Sequence, residues 1–199
     1  MNIKAFVLGA LQTNCYVAYS ASEAAIIDPA EYSEEIMGFI NESRLTVRWI
    51  ILTHAHYDHV GGAKSFKDSC GAVLAMSEND IPVLGSSGML DSSYLENEIG
   101  FFISDGSQFE IGDEKLAAIH TPGHSPGSVS LYAQGLLFSG DTLFERSIGR
   151  TDLYLGSFSE IEKSIKKLYS LQGATIVYPG HGGTTTIGSE KLNNPFVRG

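Results

Sequence analysis

Short apolar runs recur along the chain at residues 3–8, 15–19, 24–27, 47–52, 72–75, 116–119, 128–132, 136–138 and 175–178. Several are continuous rather than alternating, the pattern of strands covered on both faces. Helical spacing falls between them. Residues 32–42 set Ile36, Phe39 and Ile40 on one side, with Asp28-Pro29 as a start signal ahead. Residues 159–171 space Ile161, Ile165 and Leu168 by four and three, and Ser159 and Glu162 stand at capping-box spacing. Gly61-Gly62 precedes a short helix over 63–68, and Asp105-Gly106 with Gly112-Asp113 punctuates a hairpin around Phe109. The strands form two clusters with a helix-bearing middle, which predicts two sheets packed face to face with helices outside. Residues 77–104 are Ser-rich and irregular, with Met89, Leu90, Tyr94, Phe101 and Phe102 embedded. They read as a packed loop at the core edge, with the lining of a pocket as the alternative. No linker, low-complexity tract or repeat interrupts residues 1–199, so a single domain is expected.

Composition narrows the classes. At 199 residues, 43% apolar and 18% charged, the chain suits one globular domain. A formal charge of −10 disfavours nucleic acid or an anionic membrane as partner. Cys15 and Cys70 lie far apart in no CxxC pattern, as free thiols of a reducing compartment do. Residues 5–11 follow Lys4 as a signal h-region would, but the run is short, without a small-residue cleavage site, and reads as a first strand. A cytoplasmic location is expected, and no apolar run approaches the roughly 18 residues of a membrane span.

The chemistry concentrates in His54-Ala55-His56-Tyr57-Asp58-His59, which holds three of the six histidines. Clustered imidazoles repel on protonation and need a partner to sit together, and a divalent metal supplies one. Further donors follow strand-like runs: His124 in Thr-Pro-Gly-His, Asp141 in Ser-Gly-Asp and His181 in Pro-Gly-His. A glycine precedes each of these three and lets backbone approach closely. Five histidines and two aspartates exceed one tetrahedral ion and suit two, with a carboxylate bridging. All-nitrogen and oxygen ligation fits zinc, iron or manganese. His120 fits none of the ligand slots and reads as structural or supporting.

These residues resemble the metallo-β-lactamase-fold hydrolases: His54, His56, Asp58 and His59, then His124, Asp141 and His181, with Asp28 of Ile-Ile-Asp-Pro similar to the family's supporting aspartate. The resemblance implies an α/β fold, a four-layer αββα sandwich with metals at one edge. It implies one ion on His54, His56 and His124, a second on Asp58, His59 and His181, and Asp141 between them, zinc being the first choice. Gly140–Phe144, Ile148–Leu153 and Asn194–Arg198 resemble short members of the glyoxalase II group, the hydroxyacylglutathione hydrolases. Metal binding lowers the pKa of water from 15.7 to about 7, so a metal-bridging hydroxide, oriented by Asp58, is the expected nucleophile on a small-molecule thioester or ester. A thiolate with a pKa near 8.5 leaves with little protonation. Arg146 and Arg150 are candidate contacts for a substrate carboxylate. The alternatives are a mononuclear-iron persulfide dioxygenase, whose Gly-Arg-Thr-Asp segment resembles residues 149–152; a lactonase, β-lactamase or phosphodiesterase of the same fold; and a metal-binding module without catalysis.

Overall fold

In a computed structural model, which describes residues 1–89 and 93–199 and only the backbone of Tyr94, the strands form two six-stranded sheets. The first runs in order through β1 (Asn2–Leu8), β2 (Thr13–Ser20), β3 (Glu23–Ile27), β4 (Thr46–Ile51), β5 (Val73–Met76) and β6 (Ile99–Phe102). Then come β7 (Gln108–Ile111), β8 (Glu114–His120), β9 (Val129–Ala133), β10 (Leu136–Gly140), the small hairpin β11 (Leu143–Phe144) with β12 (Ser147–Ile148), β13 (Ile176–Pro179) and β14 (Thr185–Thr186). The second sheet has the order β14-β13-β10-β9-β8-β7. The helices are α1 (Glu34–Glu42), α2 (Tyr57–Val60), α3 (Ala63–Cys70), α4 (Ser93–Glu96), α5 (Phe158–Leu168) and α6 (Ile187–Asn193).

Burial explains the continuous apolar runs. Successive residues of a strand point to opposite faces, and here both faces are covered. In β3, Ala24 and Ile26 pack beneath Ile36 and Ile40 of α1 and Phe66 of α3. Ala25 and Ile27 turn the other way, into the space between the sheets with Phe109, Leu131 and Phe138. In β10, Phe138 joins that central layer while Leu137 packs with Val177 against Ile161, Ile165 and Leu168 of α5. Three apolar layers thus separate four layers of backbone, the expected αββα sandwich. Each of the nine runs lies on a strand, with ends moved by a residue or two. The run 5–11 falls in β1 and its turn, and no helix among the described residues is long and apolar enough to cross a membrane. Cys15 is buried and Cys70 half-buried, both as free thiols.

Helix starts differ from the sequence reading. Ser33, not the Asp28-Pro29 pair, caps α1 through a bond from Ile36 N, and Asp28 is committed to the site described below. The α5 cap is Ser157, whose Oγ accepts from Glu160 N at 3.4 Å. Ser159 is an exposed residue inside the first turn. Both serines have an acidic residue three positions on, so spacing alone left the choice open. Ser157→Ala is expected to cost about 1 kcal/mol, or roughly 2–4 °C in thermal unfolding for a chain of this size. Ser159→Ala should stay within about 0.5 kcal/mol; calorimetry of the two variants decides between the caps.

Candidate metal centre

Strand ends from both sheets meet at one edge of the sandwich. His54 follows β4, His124 lies between β8 and β9, Asp141 follows β10 at once and His181 follows β13 by two residues. The sheets are stitched together there. Val129 N donates to Thr53 O at 2.8 Å, Asn14 N to Gly180 O at 2.7 Å, and Asn14 Nδ2 to both Pro179 O and Gly182 O at 2.9 Å. A register shift against β13 between Phe138 and Gly140 bends β10 just before Asp141, as bulges do where a side chain must be re-aimed. Gly140 has a φ of +49°, and Gly180 lies so close to Asp141 Oδ1 and His59 Cε1 that any Cβ there would overlap them.

All seven sequence-predicted donors come together. His54, His56 and His124 form one group and Asp58, His59 and His181 another, each with ligand atoms within 4.8 Å of one another. Asp141 lies between the groups, its Oδ1 3.4 Å from His59 Nε2 and its Oδ2 3.5 Å from both His124 Nε2 and His181 Nε2. His120 lies apart from the groups, its Nε2 3.0 Å from Pro126 O.

The outer nitrogens of His54, His59, His124 and His181 are taken, which turns their inner lone pairs toward the centre. Asp28, buried at a φ of +52°, accepts from Thr53 N at 2.7 Å, Thr53 Oγ1 at 2.6 Å and His59 Nδ1 at 3.0 Å. Because Thr53 Oγ1 gives its proton to Asp28, it accepts from His54 Nδ1 at 3.1 Å. One carboxylate therefore fixes the tautomers of two rings. His124 Nδ1 donates to Arg150 O at 2.8 Å and His181 Nδ1 to Leu11 O at 3.1 Å. Asp28 also lies within ligand range of His54 and His59, but its oxygens are spent on these bonds, so it supports rather than ligates.

The residues fit a cation. His54 Nε2 and Asp141 Oδ1 are buried with no hydrogen-bond partner, an arrangement that is costly unless something else satisfies them. His56 Nδ1 and His124 Nε2 approach to 2.8 Å, and the second of these is a lone pair. Burial, then the neighbouring imidazoles, pushes His54 well below its usual range. Burial brings His56 down to about 4 and His124 to about 3. These three are neutral donors at pH 7, the form a metal takes. Burial opposes charge on His59, but Asp141, Asp28 and Asp58 outweigh it and raise the group to about 9. His181, bonded to Asp58, is also raised. The His/Asp cluster supports divalent metal binding.

The metallo-beta-lactamase superfamily profile matches residues 8–181, nearly the whole span of the strands and every donor above. The chain belongs to the metallo-beta-lactamase superfamily. Among its relatives, hydroxyacylglutathione hydrolase GloC of Haemophilus influenzae is 34% identical over 99% of this chain and 98% of that protein. The crystal structure of BLEG-1 B3 metallo-beta-lactamase is 39% identical, covers both chains fully and superposes with a TM-score of 0.88. TTHA1623, solved in a di-iron-bound form, is 31% identical over 98% of this chain and 100% of that one, at a TM-score of 0.83. This chain is thus a member of a metallo-hydrolase superfamily with a mixed α/β, two-sheet fold.

Above the donors lies a cavity of about 700 Å³. Arg150 lines it; Arg146 does not, because it occupies the exposed turn between β11 and β12 at a φ of +53°. The pocket alternative for the aromatics of residues 77–104 fails where it can be followed. Phe101 packs edge-to-face on Trp49 and Phe109, Phe102 is exposed on the edge strand β6, and Met89 is exposed. That segment sends Ser86 and Ser87 to the cavity instead. Leu90 and the Tyr94 side chain lie outside the described residues.

Asp80 is a residue the sequence reading missed. It is fully buried, and its Oδ2 accepts from Ala55 N at 2.8 Å and Ser125 Oγ at 2.7 Å while Oδ1 accepts from Gly127 N. It ties the loop bearing His54 and His56 to the loop bearing His124. Nothing in Ser77-Glu78-Asn79-Asp80 distinguishes it from a solvated polar tract. Thr13, which donates to Asp58 Oδ2 at 3.1 Å, was equally silent. Asp80→Ala strands several buried donors and is expected to cost about 2–4 kcal/mol. It should also lower metal retained per chain, chiefly in the His54/His56/His124 group. Thermal unfolding with elemental analysis checks this; wild-type values in both would remove Asp80 from the site's support.

Proposed function

We propose that this chain is a metal-dependent hydrolase of thioesters, of the hydroxyacylglutathione hydrolase type. The observation that carries the reading is the convergence of seven donors, in two groups sharing Asp141, on the floor of an open cavity. His54, His56 and His124 would hold one divalent ion and Asp58, His59 and His181 a second, with Asp141 serving both. Zinc is the metal proposed, and iron or manganese suits the same donors. When bound, such ions supply Lewis acidity and a water whose pKa falls to about 7.

The chain's own groups account for the rest. Asp58 is held in the ionised form by its bond to His181 despite partial burial. Thr13 Oγ1 donates to its Oδ2, and Asp58 lines the cavity, which orients it as a proton acceptor for the attacking water. In the net reaction water oxygen bonds to the acyl carbon and the carbon–sulfur bond breaks. The products are a carboxylate, a thiol and one proton released to solvent. Outside the donor set, the described cavity residues include no further carboxyl group or histidine to protonate a poor leaving group. A thiol with a pKa near 8.5 leaves as thiolate without one, whereas an amine does not, which favours thioesters over amides.

Elemental analysis beside an S-lactoylglutathione hydrolysis assay tests the proposal. Two ions per chain, with turnover that tracks metal content, are expected. His56→Ala and Asp141→Asn should each lower kcat at least about 100-fold, as loss of metal support does. A single iron with oxygen uptake on glutathione persulfide would overturn the hydrolase reading. Chelation should lower the thermal midpoint by several degrees, since a ligand at 100 times its Kd adds about 2.7 kcal/mol to the folded state. Restoring the ion should restore the midpoint.

A further inference from the structure

One fully buried acidic side chain takes no part in the chemistry above. Glu190, on α6, is 0% exposed. Burying such a group is costly unless its oxygens find donors, and these do. Oε1 accepts from Thr185 Oγ1 at 2.6 Å. Oε2 accepts from Asn194 Nδ2 at 3.0 Å and from Arg146 N at 2.9 Å. The last bond leaves the C-terminal segment, because Arg146 lies in the turn of the β11–β12 hairpin. Asn194, four positions after Glu190 and also buried, sends a second Nδ2 proton to Ser147 O at 3.1 Å. Two consecutive hairpin residues are thus gripped, one by its N–H and one by its carbonyl.

The hairpin needs that grip. Its strands are two residues each, paired only as Leu143 with Ile148 and Phe144 with Ser147, and so short a ribbon is not stable alone. Its turn is Glu145-Arg146, with a φ of +53° at Arg146. Tight hairpin turns favour glycine or asparagine at positive φ, and a left-handed arginine is unfavourable by itself. Yet this hairpin shapes the cavity, since Phe144, Ser147 and Ile148 stand on its wall. The segment behind the grip is fixed in turn. Tyr169, at the end of α5, directs its hydroxyl between Glu190 O at 3.1 Å and Val197 O at 2.9 Å, and Gly188 N donates to Gly173 O at 2.8 Å.

We propose that Glu190 and Asn194 are positioning residues, which clamp the β11–β12 hairpin so that Phe144, Ser147 and Ile148 meet the substrate as a fixed wall. The tail after α6 thereby acts on binding from a distance. Asn194 Oδ1 accepts from Phe196 N at 3.0 Å and Val197 N at 3.3 Å, which leaves its Nδ2 for Ser147 and Glu190. Neither clamp residue lines the cavity. A released hairpin must be ordered afresh whenever substrate enters, and that cost falls on binding. The metal donors keep their own supports, so KM changes rather than kcat. The kinetic part of this rests on the thioester reading above; the clamp itself does not.

Hydrogen exchange read by mass spectrometry, on the metal-loaded protein, tests the clamp directly. In Glu190→Ala and in Asn194→Ala, amides of residues 143–149 are expected to exchange about tenfold faster or more, while those of residues 54–59 hold their rate and metal content is unchanged. KM for S-lactoylglutathione should rise about tenfold, or roughly 1.4 kcal/mol, with kcat within about threefold. Glu190→Gln should stay near wild type in both readouts, because its amide oxygen can replace Oε2 while its NH2 donates to Thr185 Oγ1. Leu192→Ala, on the exposed side of α6, should change neither. If Glu190→Ala fails to fold, Asn194→Ala, which leaves the carboxyl group in place, carries the test. Unaltered exchange in the hairpin, exchange that rises everywhere alike, an unaltered KM, or a Glu190→Gln as impaired as Glu190→Ala overturns the inference while thioester cleavage stands. A wild type that cleaves no thioester removes the hydrolase reading instead, and the exchange comparison then decides the clamp alone.

Discussion

Five imidazoles and two carboxylates are aimed at one small volume, an arrangement suited to cations among them. The rest of the molecule keeps those groups aimed. Left to themselves the rings would turn outward to water, where each nitrogen finds a partner. Four of the five are prevented from doing so by bonds on their far sides, His54 to Thr53, His59 to Asp28, His124 to Arg150 O and His181 to Leu11 O. Asp28 is the hub of this restraint. It accepts three hydrogen bonds and through them sets the proton positions of His54 and His59, while its own left-handed backbone turns the chain out of β3.

Such aim requires rigid supports, and the sandwich supplies them. Strands covered on both faces cannot twist or slide without disturbing two apolar layers at once. Donors at their ends inherit that stiffness. The loops beyond the strand ends are then tied across the sheets, by Asp80 between the His54–His59 segment and the His124 segment and by Asn14 between β2 and the His181 segment. Above this fixed floor the walls are apolar and assembled from short connecting pieces. Walls and floor are nonetheless linked: Tyr57 stands between His56 and Asp58, and Leu11 and Arg150 hold His181 and His124 through their carbonyls.

Strand runs and donor clusters were legible because each follows from a local rule: coverage on both faces removes alternation, and crowded histidines require a counterpart. The edge strand β6 was not, because Ile99-Gly100-Phe101-Phe102 carries exposed aromatics that answer to Trp49 and Phe109, far away in sequence. The choice of Ser157 over Ser159 as a cap depended on where α5 must begin to pack Ile161 beside Gly123, again a tertiary matter. Asp80, Thr13 and Asn14 escaped for a related reason. A polar residue that satisfies backbone groups across the fold leaves no spacing signal of its own, unlike a ligand set that must share one point. Arg150 and Arg146 looked alike in sequence, and only the hairpin turn separates the one on the cavity wall from the one in solvent.

His181 rests its Nδ1 on Leu11 O, 170 positions earlier in the chain, and faces His59 across a separation of 122. The group of Asp58, His59 and His181 is therefore complete only after residues 11 through 181 have all been made. Nascent chains can carry at most the earlier cluster of ring nitrogens. Such distant closure is slow to nucleate, and the hairpin of β1 and β2 acts as the latch that the final histidine closes.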